Sequence, residues 1–390
     1  ESNPAVKILK ELKLPLSVDS AVSSLFLEGK LSEFRAGEDS EIYLKRILGE
    51  PQYKLLEQFK TKVTPMIGAL RTDRPISADL LKLKDISFKE WLQTQSLPPQ
   101  VLDWIRISVE CEVGTQWNMF SALDGLAEFH IFLGKGERSY RVHGGNEVFT
   151  NALGKAVGPK NISINQRVTR VVSKGEHIEV SYLDQVTHQH SVIRARHVVT
   201  TLPLFRLLME IQFDPPISER KRQAIASQTW GSYFKAHVFF PKTAMKTWDY
   251  AGESVLPILS DSDLGVIYDG NPDQETETRI ISLLVSGDAA ERYNMMPLDD
   301  VRNQVKAGFE KNWPGSGKQI LGMEFYRFHP RAIAGWPVGR SRFDELSQEI
   351  RRPENRVYLA GDFTEDTHSS GAIVSAARVV KQIKAAARKP

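Results

Sequence analysis

The stretch from residue 356 to residue 376 (RVYLAGDFTEDTHSSGAIVSA) narrows the possible folds more than any other part of the chain. Its apolar start reads as a buried strand that ends on Gly361 and an acid, Asp362. A polar loop follows, and Gly371 opens a run to residue 387 that is rich in alanine and valine and has helical spacing. A strand that ends on glycine and leads through a loop into a helix presents free backbone N–H groups at the carboxyl end of a sheet. In doubly wound α/β folds, ligands sit there. The same pattern also fits a plain strand–loop–helix crossover.

The rest of the chain fits an α/β class with mixed sheets. Residues 4–14 have the apolar spacing of a short helix with Pro4 in its first turn, and residues 24–28 read as a strand closed by Gly29. Helical patterns then cover 42–48, 53–63, 88–92, 99–112 and 121–132. Beyond Tyr140 the character changes to strands, at 162–164, 168–172, 178–183, 197–202, 235–240, 265–268 and 279–286, with a helix at 298–313.

Composition removes several function classes. The 390 residues are 41% hydrophobic and 25% charged, with a net charge of only +3. The densest basic group, Lys381, Lys384, Arg388 and Lys389, reads as a solvated helix end, so no nucleic-acid partner is expected. A single cysteine, Cys111, excludes an intrachain disulfide framework and a multi-cysteine zinc site. No run is long and apolar enough to span a bilayer. The chain reads as soluble, with the cytoplasm favoured. It opens on Glu1, so no targeting signal can be judged.

The 356–376 segment resembles the C-terminal cofactor signature of the flavin-containing amine oxidase superfamily. Other segments resemble that family in its order: Arg141-Val-His-Gly144-Gly145-Asn, a turn before a helix; Asn165-Gln-Arg-Val168, a strand at the adenine end; and 197–203 (HVVTTLP) with Thr201, a strand returning to the cofactor. Gly231-Ser-Tyr-Phe-Lys235 resembles the strand carrying the family lysine, and 331–339 (RAIAGWPVG) the loop that places an aromatic ring at the flavin.

The resemblance implies noncovalent FAD. It would be held by Arg141, Gly144, Gly145, Val168, Thr201, Gly361, Asp362, Gly371, Ala372 and Ile373, with the Ile373 N–H toward the flavin pyrimidine oxygen. Lys235 would lie near flavin N5, and Trp336 would form one wall of an aromatic cage that guides the amine; the other reading of Trp336 is a core tryptophan. Independently, a lysine among Phe234, Ala236 and Val238 would be desolvated if it points inward, which suits acid–base work; on the outer face it would be a solvated surface lysine. The resemblance also places Glu112, Arg138 and Tyr140 at the substrate cavity, where Glu112 would pair with a cationic substrate; the plainer reading of Glu112 is a solvated surface acid. His143 and His368 flank cofactor motifs without metal-like spacing and read as hydrogen-bonding residues.

Domain boundaries follow. Residues 1–30 would start the substrate domain, 31–139 form a helical, substrate-binding region, and 140–203 the middle of a Rossmann-like FAD domain. Residues 204–330 would form a mixed-sheet substrate domain, and 331–390 the C-terminal cofactor motif.

The sequence also departs from the family pattern. Asp362 replaces the more usual glutamate, and Ala372 stands where a second cage aromatic is common. Gly335 stands where some members attach FAD through cysteine. The opening strand, Gly-x-Gly-x-x-Gly loop and acidic ribose ligand do not occur in this sequence. Two explanations are open: a companion chain that carries that loop, as in a processed two-chain enzyme, which is favoured, or a piece that this sequence leaves out; a homo-oligomer is compatible with either.

The activity implied is oxidation of a C–N bond of an amine or L-amino acid by hydride transfer to the flavin, with release of imine and, through O2, hydrogen peroxide. The alternatives are a flavin C–C oxidoreductase of the protoporphyrinogen or carotenoid type, and a noncatalytic scaffold on the same fold.

Overall fold

Apolar residues at helical spacing build the first core. The computed structural model describes residues 3–19, 22–35, 37–133, 139–272, 274 and 276–387; Arg138, Arg388 and Lys389 lie outside the described residues. Helix Pro99–Val113 buries Val101, Trp104, Ile105 and Val109 and closes on Gly114, whose φ of 67° is the left-handed conformation that favours glycine. Its Trp104 meets Phe129 edge-on, and Phe129 also packs on Phe59 of helix Glu50–Gly68. The expected helix over 121–132 is helix Ala122–Glu128 followed by a 3-10 turn, Phe129–Phe132. Ser121 caps that helix by accepting the Asp124 N–H.

The second core lies under a seven-stranded mixed sheet. Its order is Gly322–Gly335, Thr229–Pro241, Thr278–Ser286, Val266–Asp269, Ile258–Ser260, Ser24–Leu27 and Lys30–Ser32. Only Ile258–Ser260 with Ser24–Leu27 runs parallel. Alternate residues of the long strand, Phe234, Ala236, Val238 and Phe240, are fully buried against Ile281, Leu283 and Phe309.

A third group positions the 356–376 segment. Val357–Leu359 pairs in parallel with Val198–Thr200. A four-stranded sheet, His190–Ala195, Ile178–Asp184, Gln166–Ser173 and Gln212–Asp214, joins this pair through Val171, Ile178, Val180 and Val357, with Val168 and Val198 packed beside them. Helix Pro4–Glu11 packs on helix Ser369–Ala386, and Leu16–Asp19 pairs with Ser139–Val142.

One expected strand fails and one real strand goes unread, each for a physical reason. Residues 162–164 are not a strand: Ile162 and Ile164 are exposed, with no core face to meet, and Asn165 at φ 59° turns the chain before the ladder begins. Conversely, the strand Gly322–Gly335 escaped notice because Pro330 interrupts it. It lies at the sheet edge, and Pro330 falls in the irregular stretch where the ladder to Thr229–Pro241 shifts register, so its missing N–H breaks no regular pairing.

Candidate active site

The segment around Gly361 is braced from behind. Ala360 N–H donates to Thr200 O at 3.0 Å, so Thr201 and Gly361 leave the parallel pair side by side. Gly361 has φ 144°, and a Cβ there would lie 2.3 Å from the Phe363 ring. Its N–H donates to Ser375 Oγ at 2.8 Å, which ties the loop to the helix. Arg378 donates to Glu365 Oε1 at 2.8 Å and to Leu359 O at 3.0 Å, while Arg351 donates to Thr364 O at 2.6 Å. Gly371 has no room for a side chain, because a Cβ would sit 2.0 Å from Asp366 Oδ1.

These residues form a tight strand–loop–helix corner whose backbone N–H groups can meet an anionic or electron-rich ligand. Helix Ser369–Ala386 starts at His368, whose side chain makes no cap bond, so it leaves the first-turn N–H groups to other acceptors. Ala372 is exposed and Ile373 half-buried. Burial pushes the Asp362 carboxyl up, against hydrogen bonds from the Phe363 backbone. Gly144 and Gly145, at φ 83° and 90°, form the turn into helix Asn146–Val157. Arg141 Nη1 donates to Asp269 O at 3.3 Å, which fastens this turn to the seven-stranded sheet. Val168 sits at an irregularity where its ladder with Ile178–Asp184 shifts register.

The substrate-side residues meet through two glycines. A Cβ on Gly231 would lie 2.3 Å from Val113 O, and one on Gly114 would lie 3.0 Å from Ile333. Ser232 N–H donates to Gly114 O at 2.8 Å. This contact seats the helix end that carries Glu112 against the strand that carries Lys235. Tyr233 seals it, its hydroxyl donating to Cys111 O at 2.7 Å and to Glu112 O at 3.0 Å. Lys235 is two residues on, so it shares the sheet face of Tyr233 and not the Phe234 core. It is half-buried, stands across from Tyr326 and Leu284, and has no hydrogen bond or ion pair among the described residues. Tyr140 is exposed, and its cross-strand neighbour is Val18.

Next to Glu112 lies a buried charged network that the sequence reading missed. Glu128, fully buried, accepts from Arg342 Nη2 through one oxygen and faces His368 Nε2 at 2.8 Å through the other. Arg342 Nε also donates to Asp124 Oδ1 at 2.8 Å. Its guanidinium lies 4.7 Å over the ring of Trp336, which is 2% exposed. Trp336 Nε1–H donates to Ser347 Oγ at 3.1 Å, so the ring is held in one pose. Burial pushes the Glu128 carboxyl up, but Arg342 and His368 outweigh it and hold it at about 2. Burial pushes the His368 imidazole down, yet Glu128 and Glu112 raise it overall. Burial raises the Glu112 carboxyl, partly offset by His368. One signal was available: Asp124 and Glu128 stand four apart within an otherwise apolar helix, and buried acids are rare unless paired. A cavity of about 480 Å³ opens elsewhere, at the end of helix Pro99–Val113, between Glu110, Cys111, Trp117, Asp261, Asp288 and Arg292, and is not lined by the 361–373 segment.

The sequence pattern of the flavin containing amine oxidoreductases matches residues 1–384. The chain belongs to this family. As a flavin-containing amine oxidoreductase it is 21% identical over 347 residues to the probable flavin-containing monoamine oxidase A of Dictyostelium discoideum, covering 83% of this chain and 72% of that one. It is 22% identical to an L-amino-acid oxidase of Vipera ammodytes ammodytes and 24% to one of Sistrurus catenatus edwardsii. Each match covers 74% of this chain, which spans 59% and 56% of those two enzymes. The fold matches putrescine oxidase bound to putrescine, at TM-score 0.77 and 16% identity, over 98% of this chain and 85% of that one. Cyclohexylamine oxidase from Brevibacterium oxydans IH-35A matches at TM-score 0.77 and 15% identity, over 97% and 85%. The family implies a flavin. Among the described residues no helix is long and apolar enough to cross a membrane.

Proposed function

We propose that the chain is the larger part of an FAD-dependent oxidase that acts on the C–N bond of an amine or L-amino acid. The observation that carries this reading is the helix end at Glu112, whose backbone carbonyl accepts from the Tyr233 hydroxyl on the strand face that also bears Lys235, with the Glu112 carboxyl near enough to His368 for their charges to interact. Glu112 is a carboxylate with no salt-bridge partner among the described residues, and a substrate ammonium would supply one. FAD, bound without a covalent link, would supply the hydride acceptor and, with O2, the route to hydrogen peroxide.

The roles of the chain's residues follow. Gly361, Asp362 and the start of helix Ser369–Ala386 hold the cofactor's polar end, with Gly144, Gly145, Val168 and Thr201 toward its adenosine. Trp336, fixed by Ser347 and covered by Arg342, backs the substrate side from within the core. Lys235 handles a proton or water near the reacting face. A companion segment carrying the glycine loop completes the cofactor site. Exposed Val199, Val374 and Val380 support it, because they lie on a parallel pair and its helix, elements that such sheets normally cover on both faces.

Intact-mass and visible-absorbance measurements on the purified protein test the reading. A flavin spectrum that is released on denaturation, together with a second chain, is expected. Peroxide release should then follow addition of benzylamine, putrescine or L-leucine. A colourless protein that stays colourless when FAD and the companion chain are supplied would refute it. Lys235→Met should slow turnover at unchanged FAD content; an unchanged rate removes Lys235 from the mechanism.

A further inference from the structure

We propose that His368, oriented by Glu128, is the base that takes the proton from the substrate's ammonium group before its C–N bond is oxidised. The proposal rests on the oxidase reading above. A simple amine holds its proton up to about pH 10, like a lysine side chain. Its nitrogen lone pair must be free to assist loss of hydride from the neighbouring carbon, so the site needs a proton acceptor.

The geometry of such an acceptor is present. His368 Nε2 faces Glu128 Oε2 at 2.8 Å. A carboxylate only accepts hydrogen bonds, so Nε2 carries the hydrogen and Nδ1 is the nitrogen with the open lone pair. Nδ1 has no partner among the described residues, and the His368 side chain is 25% exposed. Glu128 cannot turn away, because its other oxygen is held by Arg342, itself fixed by Asp124. This is the base-and-orienter arrangement of hydrolytic triads, put to the service of an amine.

The charges facing the imidazole are Glu128 on helix Ala122–Glu128, Glu112 on helix Pro99–Val113, Arg342 beyond strand Gly322–Gly335, and Asp362 in its own loop. Asp366 is committed to the His368 backbone N–H at 3.1 Å. In the step, one ammonium N–H bond breaks, an N–H bond forms at Nδ1, and the electron pair stays on the substrate nitrogen. Glu112 pairs with the ammonium before transfer, and Glu112 and Glu128 flank the imidazolium after it.

The test is anaerobic flavin reduction in the FAD-loaded enzyme, followed across pH with whichever of benzylamine, putrescine and L-leucine it oxidises. The wild-type rate should fall as pH drops through the imidazole titration. His368→Gln should be roughly 100-fold slower near neutrality and recover to within a few-fold at about pH 10.5, where the amine arrives unprotonated. Glu128→Gln keeps the imidazole but removes the charge that favours its protonation, so its acid limb should move to lower pH. A His368→Gln profile parallel to wild type, or an unmoved limb in Glu128→Gln, overturns the proposal. If His368→Gln does not retain FAD, the Glu128→Gln limb decides. Wild-type flavin that no amine reduces at any pH removes the oxidase reading, and this inference with it.

Discussion

Gly231 and Val113 touch backbone to backbone: a Cβ on the glycine would lie 2.3 Å from the Val113 carbonyl oxygen. Neither atom is the end of a flexible side chain, so the strand or the helix end must move. Gly231→Ala should cost about 1–3 kcal/mol as an overpacked contact, read as a lower urea midpoint. It should also raise KM for a cationic substrate, because the helix end that moves carries Glu112.

Arg342 is the cation shared by Glu128 and Asp124. Arg342→Met fills similar space but strands two buried carboxylates. The expected loss is about 3–5 kcal/mol in chemical denaturation, with a change in tryptophan emission, because the guanidinium no longer covers Trp336. A loss below about 1 kcal/mol, in the range of an exposed pair, would mean that the network opens to solvent.

Trp336 separates shape from hydrogen bonding. Trp336→Phe keeps an aromatic wall and gives up the bond to Ser347, so about 1 kcal/mol of stability should go while turnover persists. Trp336→Ala opens a cavity beneath Arg342 and should cost about 3–5 kcal/mol along with turnover. Paired thermal melts and initial rates distinguish the two variants.

Acid should unfold the protein partly through Glu128. Its folded pKa of about 2 lies below the ordinary 4.5, so its stabilisation is complete above the ordinary value and fades as pH falls toward 2. The shift corresponds to stability on the order of 3 kcal/mol. Asp124 works the other way, because burial raises its carboxyl despite Arg342, and the stability it contributes in acid is lost as pH rises. Glu128→Gln should therefore flatten the loss of stability between about pH 5 and pH 2, measured by urea midpoints at each pH.

Local pattern carried much of the fold. The alternation of residues 235–240 and the strand–glycine–acid order at 357–362 appear in the structure as strands Thr229–Pro241 and Val357–Leu359. Contacts between distant residues were not readable. Glu128 and His368 are 240 positions apart, and nothing local to either says that they meet. His368 could be read only as a polar residue before a helix, because its partner belongs to another element. The facing of Lys235 was likewise open until its alternation with Phe234 was fixed by the core below the sheet.

The parallel pairing of Val357–Leu359 with Val198–Thr200 also sets an order of events during synthesis. A ribosome makes the second strand long after the first, so Val198–Thr200 must wait, unpaired on that side, while the seven-stranded sheet is finished. A message truncated before residue 357 would still encode every strand of that sheet, yet neither the loop at Gly361 nor the helix behind it. For a nascent chain, the loop at Gly361 and the helix behind it are among the last parts to form, and quality control would meet the apolar first strand before its partner.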